Sequence, residues 1–172
     1  MNRLTVTMIS SILSICVWLP CQQRALAAQQ SQMPAARQQD VETVDGIIKT
    51  LYEVISGPAG QKRDWDRFRS LFAPGARLIP ALSREGEKPV IRVLDVEAYI
   101  RRVDPIFEKE NFWESEKGRK TDTSGNLVHA FSTYESRHAP GGQPFQTGVN
   151  SIQLFGDGIR WWIVTVMWNT TR

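Results

Sequence analysis

Two cysteines and two histidines are all the thiol and imidazole chemistry in this chain. Both cysteines, Cys16 and Cys21, fall in an N-terminal segment expected to be removed. The mature chain then has no thiol, so it forms no disulfide and offers no cysteine nucleophile or metal ligand. His129 and His138, well separated and without an H-E-x-x-H pattern, do not make a zinc site. No metal and no cofactor are expected. No glycine-rich phosphate loop follows a strand and opens a helix, and Pro140-Gly141-Gly142 reads as a turn between strands. No G-x-S-x-G elbow occurs. Charge of one sign is lacking too, once the N-terminus is accounted for.

That N-terminus has Arg3, then an apolar, uncharged stretch from Val6 to Leu19, Pro20 as a stop, and Ala25-Leu26-Ala27. This is the pattern of a secretory signal peptide, residues 1–27, and the apolar run is short for a membrane span. The protein is therefore expected to be exported, to the periplasm or beyond the cell. Pro20 before Cys21 is a poor fit to a lipid-attachment site. Arg3 and Arg24 leave with the signal and no acid does, so 19 basic residues face 18 acidic ones in the remaining 145. The sequence pI of about 9.1 overstates the basicity of the working protein. A net charge near +1 gives no electrostatic reason for a nucleic-acid partner, and signal removal leaves no reason for a membrane partner.

What is present is one ordinary globular domain, with 41% hydrophobic and 23% charged residues. Residues 28–40 are Gln- and Ala-rich without apolar periodicity and read as a disordered leader, leaving 41–172 as the domain. Val41, Val44, Ile47, Ile48, Leu51, Tyr52 and Ile55 share one face of a first helix, stopped by Gly57-Pro58. Asp64 caps a second helix with Trp65, Phe68, Leu71 and Phe72 inward, ended by Pro74-Gly75. Ala76 to Ala81 and Pro89 to Val93 read as short strands around a polar turn at residues 83–88. Asp95 caps a third helix carrying Val96, Tyr99, Ile100 and Val103, which Pro105 interrupts unless Asp104-Pro105 starts a further turn. Then the texture changes to strands at 112–116, 126–137, 144–155 and 159–168, separated by glycine-containing segments. Helices first and an antiparallel meander last predict an α+β fold, with about three helices on one face of a curved sheet.

The last hairpin sets the strongest demand. Two apolar runs flank Gly156-Asp157-Gly158, a turn signal. Strict alternation puts Trp162, Val164, Val166 and Trp168 on one face and Trp161, Ile163, Thr165 and Met167 on the other. Both faces are apolar, so both need cover. The helices supply one cover. The surplus on Trp161, Ile163 and Met167 predicts a homodimer or another partner on the outer face. The turn length sets the register: two residues pair Gln153 with Trp162, three pair Ile152 with it. The favoured arrangement has Asn150, Ile152 and Leu154 beside Trp162 on the pocket side.

Four stretches resemble the nuclear transport factor 2-like superfamily, which includes ketosteroid isomerases, scytalone dehydratase and the SnoaL-like group. They are the helix around Leu51-Tyr52, Asp64 to Leu78 (DWDRFRSLFAPGARL), Gly125 to Arg137 (GNLVHAFSTYESR) and Asn150 to Val164. The resemblance implies a cone-shaped half-barrel with a deep apolar pocket, and dimers built on the outer sheet surface. It matches Tyr52 to the isomerase tyrosine that donates to an oxyanion. It puts Pro80, which takes no proton, where the isomerase carboxylate base stands, so that mechanism does not carry over. Two histidines that cannot easily face one pocket make a dehydratase-type His pair a poor fit.

The catalytic candidates are therefore His129, as a lone general base, and Tyr52. The expected pocket is lined by Tyr52, Trp65, Phe72, Tyr99, Phe112, Glu114, His129, Asn150, Trp162 and Trp168, with Glu114 approaching His129 from a neighbouring strand. His129 and Glu135 lie six residues apart on one strand, about 20 Å, too far for a dyad. Three functions compete: an exported binding protein for a small apolar molecule, a metal-free isomerase or lyase of SnoaL-like type using one acid–base residue, and a dimeric partner-binding module without ligand.

Overall fold

A computed structural model of the chain describes residues 33–82 and 86–171. The expected signal peptide and the leader up to residue 32 lie outside the described residues. The end of that leader does not: Gln38–Val41 form a helical turn, α1, and Asp40 is 2% exposed. Asp40 is held there by Arg67, whose Nε and Nη2 reach its two carboxylate oxygens at 2.7 and 2.8 Å. The packed chain thus begins before Val41.

Helix α2, Val44–Ile55, starts where Thr43 Oγ1 accepts the amide of Gly46 at 2.9 Å. Its inward stripe of Ile47, Ile48, Leu51, Tyr52 and Ile55 is buried, as the spacing predicts. Its C-terminus is closed by side chains. Ser56 Oγ donates to the Tyr52 carbonyl, and the buried Arg63 guanidinium donates to the carbonyls of Ile55, Gly57, Pro58 and Gln61. The Tyr52 and Ile55 carbonyls are ones a helix end leaves open, and the other three fix the loop that follows.

Helix α3 is Trp65–Arg69, capped by Asp64. It is shorter than the apolar stripe predicts. Leu71 and Phe72 are captured by the sheet: Ile163 donates its amide to Leu71 O, and Phe72 pairs with Ile163. Strand β1 accordingly runs Phe72–Leu82, and Gly75 takes φ +80° where its register shifts between Phe72 and Arg77. β2 is the short Val90–Ile91. Helix α4, Val96–Phe107, runs through Pro105 to Phe107. Pro105 sits in the last turn and has no amide to give the Arg101 carbonyl four residues back, and the helix ends two residues later.

The other strands are β3 (Trp113–Ser124), β4 (Leu127–Arg137), β5 (Pro144–Gly156) and β6 (Trp161–Thr171). β3 extends eight residues beyond the expected 116. Its polar second half, read as a linker, is an edge strand paired with β4. The two are joined by Gly125-Asn126, with Gly125 at φ +59°, as a two-residue hairpin turn demands. The sheet order is β2-β1-β6-β5-β4-β3. It is a curved, unclosed α+β arrangement as expected, but mixed: β1 runs parallel to β6.

The final hairpin corrects the expected register. Phe155 faces Trp162, not Gln153 or Ile152, and residues 157–160 form the loop. The Asp157 carboxylate organises it, accepting from the amides of Ile159 and Arg160 and from Trp162 Nε1. Farther on, Leu154 pairs with Ile163 but Gln153 with Thr165, so Val164 is an extra residue in β6. This bulge reverses the faces expected for the first half of the strand. Ile163 is buried and Trp161 packs on the core, whereas Val164 is exposed and Trp162 lies out by the loop under Arg160. Val166 and Trp168 face inward and Met167 outward, as alternation predicts. Asn150, Ile152 and Leu154 are buried inside, also as expected, though Trp162 is not beside them.

Candidate functional site

The pinning of α2 to the start of β3 builds the site. Gly57 and Phe112 exchange both backbone hydrogen bonds, at 2.7 and 3.0 Å. Ser56 Oγ accepts the Glu114 amide at 3.0 Å. The last turn of α2, with Tyr52, is thereby fixed against Glu114 and Glu116. Alternation along β4 sends Ser132, Tyr134 and Ser136 to the same inner side, and all three are buried. Asn150 arrives from β5, opposite both Ser132 and Trp168.

The hydrogen bonds here have a direction. Ser132 Oγ donates its single proton to Glu116 Oε1 at 2.6 Å. The 2.7 Å contact between Tyr52 and Ser132 must then have Tyr52 as donor. Asn150 Nδ2 donates to the Tyr52 hydroxyl at 3.0 Å and also supports Glu114. Glu116 is paired in turn with Arg119 at 3.0 Å, and Arg119 with Asp45 at 2.8 Å. Ser136 Oγ donates to Glu114 Oε2 at 2.9 Å. The Tyr52 proton is thus committed to Ser132, and an oxyanion role for it requires that bond to break.

Burial pushes the Tyr52 phenol up to about 12, against the lowering effect of Ser132 and Asn150, with the charges of Glu114 and Glu116 adding to the rise. Burial also pushes the Glu114 carboxyl up to about 7, opposed by the donors Ser136 and Asn150. Tyr99 and Tyr134 are raised by burial first and by the Glu114 charge second. The Glu114 charge thus reaches three phenols, Tyr52, Tyr99 and Tyr134.

Between α2 and β3 lies a cleft of about 610 Å3. Asp45, Lys49, Tyr52, Glu53 and Ser56 line the helix side, and Trp113, Glu114, Ser115, Glu116 and Arg119 the strand side. Arg137, Pro140 and Gly141 close one end. Among the described residues no three metal-ligating side chains converge.

Of the residues expected to share a pocket, the fold gathers Tyr52, Tyr99, Glu114, Asn150 and Trp168; the Tyr99 and Trp168 rings meet edge-on at 6.1 Å. Trp65, Phe72 and Phe112 belong to an aromatic core instead. Trp65 stacks on Phe107, Phe107 on Phe112, and Phe68 bridges Phe72 and Tyr99. His129 and Trp162 are elsewhere. His129 alternates with the buried Val128 and Ala130, so it lies on the outer sheet face. There it contacts Ser151 Oγ at 2.9 Å and the Phe131 ring, and it faces Asp122 across the strands. Glu114 does not approach it. Sequence reasoning missed Ser132, Tyr134 and Ser136. The alternating small and polar residues of Ser132 to Ser136 were the available signal.

No family model matches the chain, and no curated protein matches it. Solved structures do. A protein of unknown function with a cystatin-like fold from Nostoc punctiforme matches at a TM-score of 0.56, with 8% identity, over 76% of this chain and 94% of that one. A candidate calcium/calmodulin-dependent protein kinase II association domain from Xanthomonas campestris matches at 0.53, with 12% identity, over 74% and 85%. A candidate ketosteroid isomerase from Parabacteroides distasonis matches at 0.50, with 10% identity, over 79% and 98%. The fold is the nuclear transport factor 2-like one. In this chain the inner sheet face carries the polar cluster, while the described cleft opens beside it, at the edge strand.

Proposed function

We propose that the protein is an exported small-molecule binding protein that takes a ligand with an apolar body in the cleft between α2 and β3. The observation that carries this reading is the cleft wall. Tyr52 and Glu114, held in place by Ser132, Asn150 and Ser136, are polar groups positioned beside the apolar surface of Trp113. A fold shared with a candidate ketosteroid isomerase supports a ligand-binding or isomerase-like domain. The N-terminal pattern of residues 1–27 supports export. Native mass spectrometry of the purified protein tests the reading: a copurified small molecule is expected, and Ser115→Trp, which fills the cleft mouth, reduces its occupancy. Unchanged occupancy in that variant refutes the cleft as the site.

One observation favours a second reading. A carboxyl pushed up to about 7 exchanges a proton readily at neutral pH, which suits a metal-free isomerase or lyase with Glu114 as its acid–base residue. Turnover abolished by Glu114→Gln and retained by His129→Ala would support it. A dimer through the outer sheet face remains part of the proposal, now centred on Phe131, Val164 and Met167, all exposed.

A further inference from the structure

The charges lining the cleft are paired off with one exception. Asp45 and Glu116 share Arg119, at 2.8 and 3.0 Å. Glu53 is paired with Lys49 and with Arg67. Arg137 is committed to Glu135, on the other side of the strand. Among the described residues, Glu114 is the cleft carboxyl with no cation within ion-pair distance. Its two side-chain partners, Ser136 and Asn150, both donate to it, which is a setting prepared for an anion. A half-buried carboxylate without a counter-ion is partly cut off from water at a cost, and a ligand cation that pairs with it removes that cost. Trp113 also lines the cleft but alternates with Glu114 along β3, so its surface is offered to an apolar body and not to the cation.

We infer that the cleft selects small amphipathic ligands carrying one protonated amine, with the ammonium seated against Glu114 and the apolar body against Trp113. This rests on the binding reading above and narrows its ligand class. A ligand carbonyl would instead need Glu114 protonated as a donor, and its binding would then strengthen as pH falls. Amine binding runs the other way. The phenols that feel the Glu114 charge, Tyr52, Tyr99 and Tyr134, are raised above their ordinary values, and the other cleft charges, Asp45, Lys49, Glu53, Glu116 and Arg119, are ion-paired, so Glu114 itself sets the pH response in this range.

Three probes of one shape make the test: tryptamine, tryptophol and indole-3-acetate, titrated calorimetrically into the purified protein at pH 8. Tryptamine is expected to bind at least about tenfold tighter than tryptophol, and indole-3-acetate more weakly than either. Glu114→Gln is expected to bring tryptamine to within about twofold of tryptophol while tryptophol binding is kept. In the native protein the tryptamine advantage is expected to shrink below pH 7, approaching about tenfold per pH unit. Ser136→Ala, which removes one donor to the carboxylate, moves that pH midpoint upward, a readout that holds even if Glu114→Gln folds poorly. Equal binding of tryptamine and tryptophol, or a preference that survives in Glu114→Gln, overturns the amine inference and leaves the binding reading standing. Binding that strengthens at low pH replaces the amine by a carbonyl ligand. Absence of binding by all three probes overturns both readings.

Discussion

Replacing Glu114 by glutamine changes how stability depends on pH, and the sign follows from burial. The folded carboxyl titrates at about 7, against 4.5 for an unperturbed glutamate. Between those values the folded protein holds a proton that the unfolded chain has released. By linkage, this group then makes the protein less stable as pH rises through the window, the reverse of an ion-paired carboxylate. At 1.36 kcal/mol per pKa unit the ceiling is about 3 kcal/mol, and for a half-buried residue that water partly reaches about 1–2 kcal/mol is the working figure. Glutamine keeps an acceptor for Ser136 and does not titrate. Glu114→Gln is therefore expected to match the native protein near pH 5 and to exceed it by about 1–2 kcal/mol at pH 8. Urea denaturation at pH 5, 6, 7 and 8 reads this as a midpoint gap that opens to about 1 M. Asp40, Glu53, Glu97 and Asp157 are held low, the first three chiefly by hydrogen bonds from their basic partners and Asp157 by Trp162 and backbone amides against a burial effect. Their contribution is intact across this window, is lost only as pH falls below it, and is common to both proteins. A gap that is constant with pH, or a variant less stable at pH 8, refutes the reasoning.

Other perturbations probe the scaffold around the cleft. Tyr52→Phe removes the donor to Ser132 and strands an Asn150 amide hydrogen, so a loss of about 2 kcal/mol is expected in urea melts. If the relay is one unit, Tyr52→Phe and Ser132→Ala are strongly non-additive in a double-mutant cycle. Gly148→Ala would put its Cβ 2.1 Å from the Asn169 carbonyl and 2.6 Å from the Tyr134 hydroxyl, which itself donates to that carbonyl. A loss of about 3 kcal/mol, visible as a Tm drop by calorimetry, is expected. Asp40→Asn breaks a pair whose acid is 2% exposed and is expected to cost about 2–4 kcal/mol, with the loss checked by thermal melts. Phe131→Glu on the outer sheet face is expected to leave the fold intact by circular dichroism and to convert a dimer to monomers in sedimentation analysis.

The second and third expected helices were legible from caps and stripes, since Asp64 and Asp95 accept the expected amides; the first was legible from its stripe alone, and its cap, Thr43, moves its start from Val41 to Val44. Half of the candidate site was legible too, since Tyr52 and Asn150 are the polar members of otherwise apolar inward rows. Glu114 was named for a partner it does not have. The reason is geometric: one residue of offset along a strand decides a face, so His129 and Ser132, three apart on β4, end on opposite sides of the sheet. The relay is illegible for a related reason, because it joins α2, β3, β4 and β5 through contacts up to 98 residues apart in the chain.

The bulge in β6 is the most instructive failure. A run in which both alternating rows are apolar has no polar residue to mark the extra position, so Val164 cannot be told from its neighbours by composition. Yet that one residue buries Ile163, which strict alternation leaves outside, and exposes Val164, which it puts inside. The surplus apolar surface that predicts a partner therefore survives in a different place. It loses Trp161 and Ile163 to the core and keeps Met167, with Val164 gained from the same strand and Phe131 and Leu127 from β4. Met167 and Phe131 both face Ser151 of β5 across the sheet, so they flank one small residue at its centre. A second copy of the chain would meet that centre first. A charge at Phe131 is thus the decisive test of a dimer, whereas a charge at Trp161, which packs on the core, would unsettle the fold and say nothing about the interface.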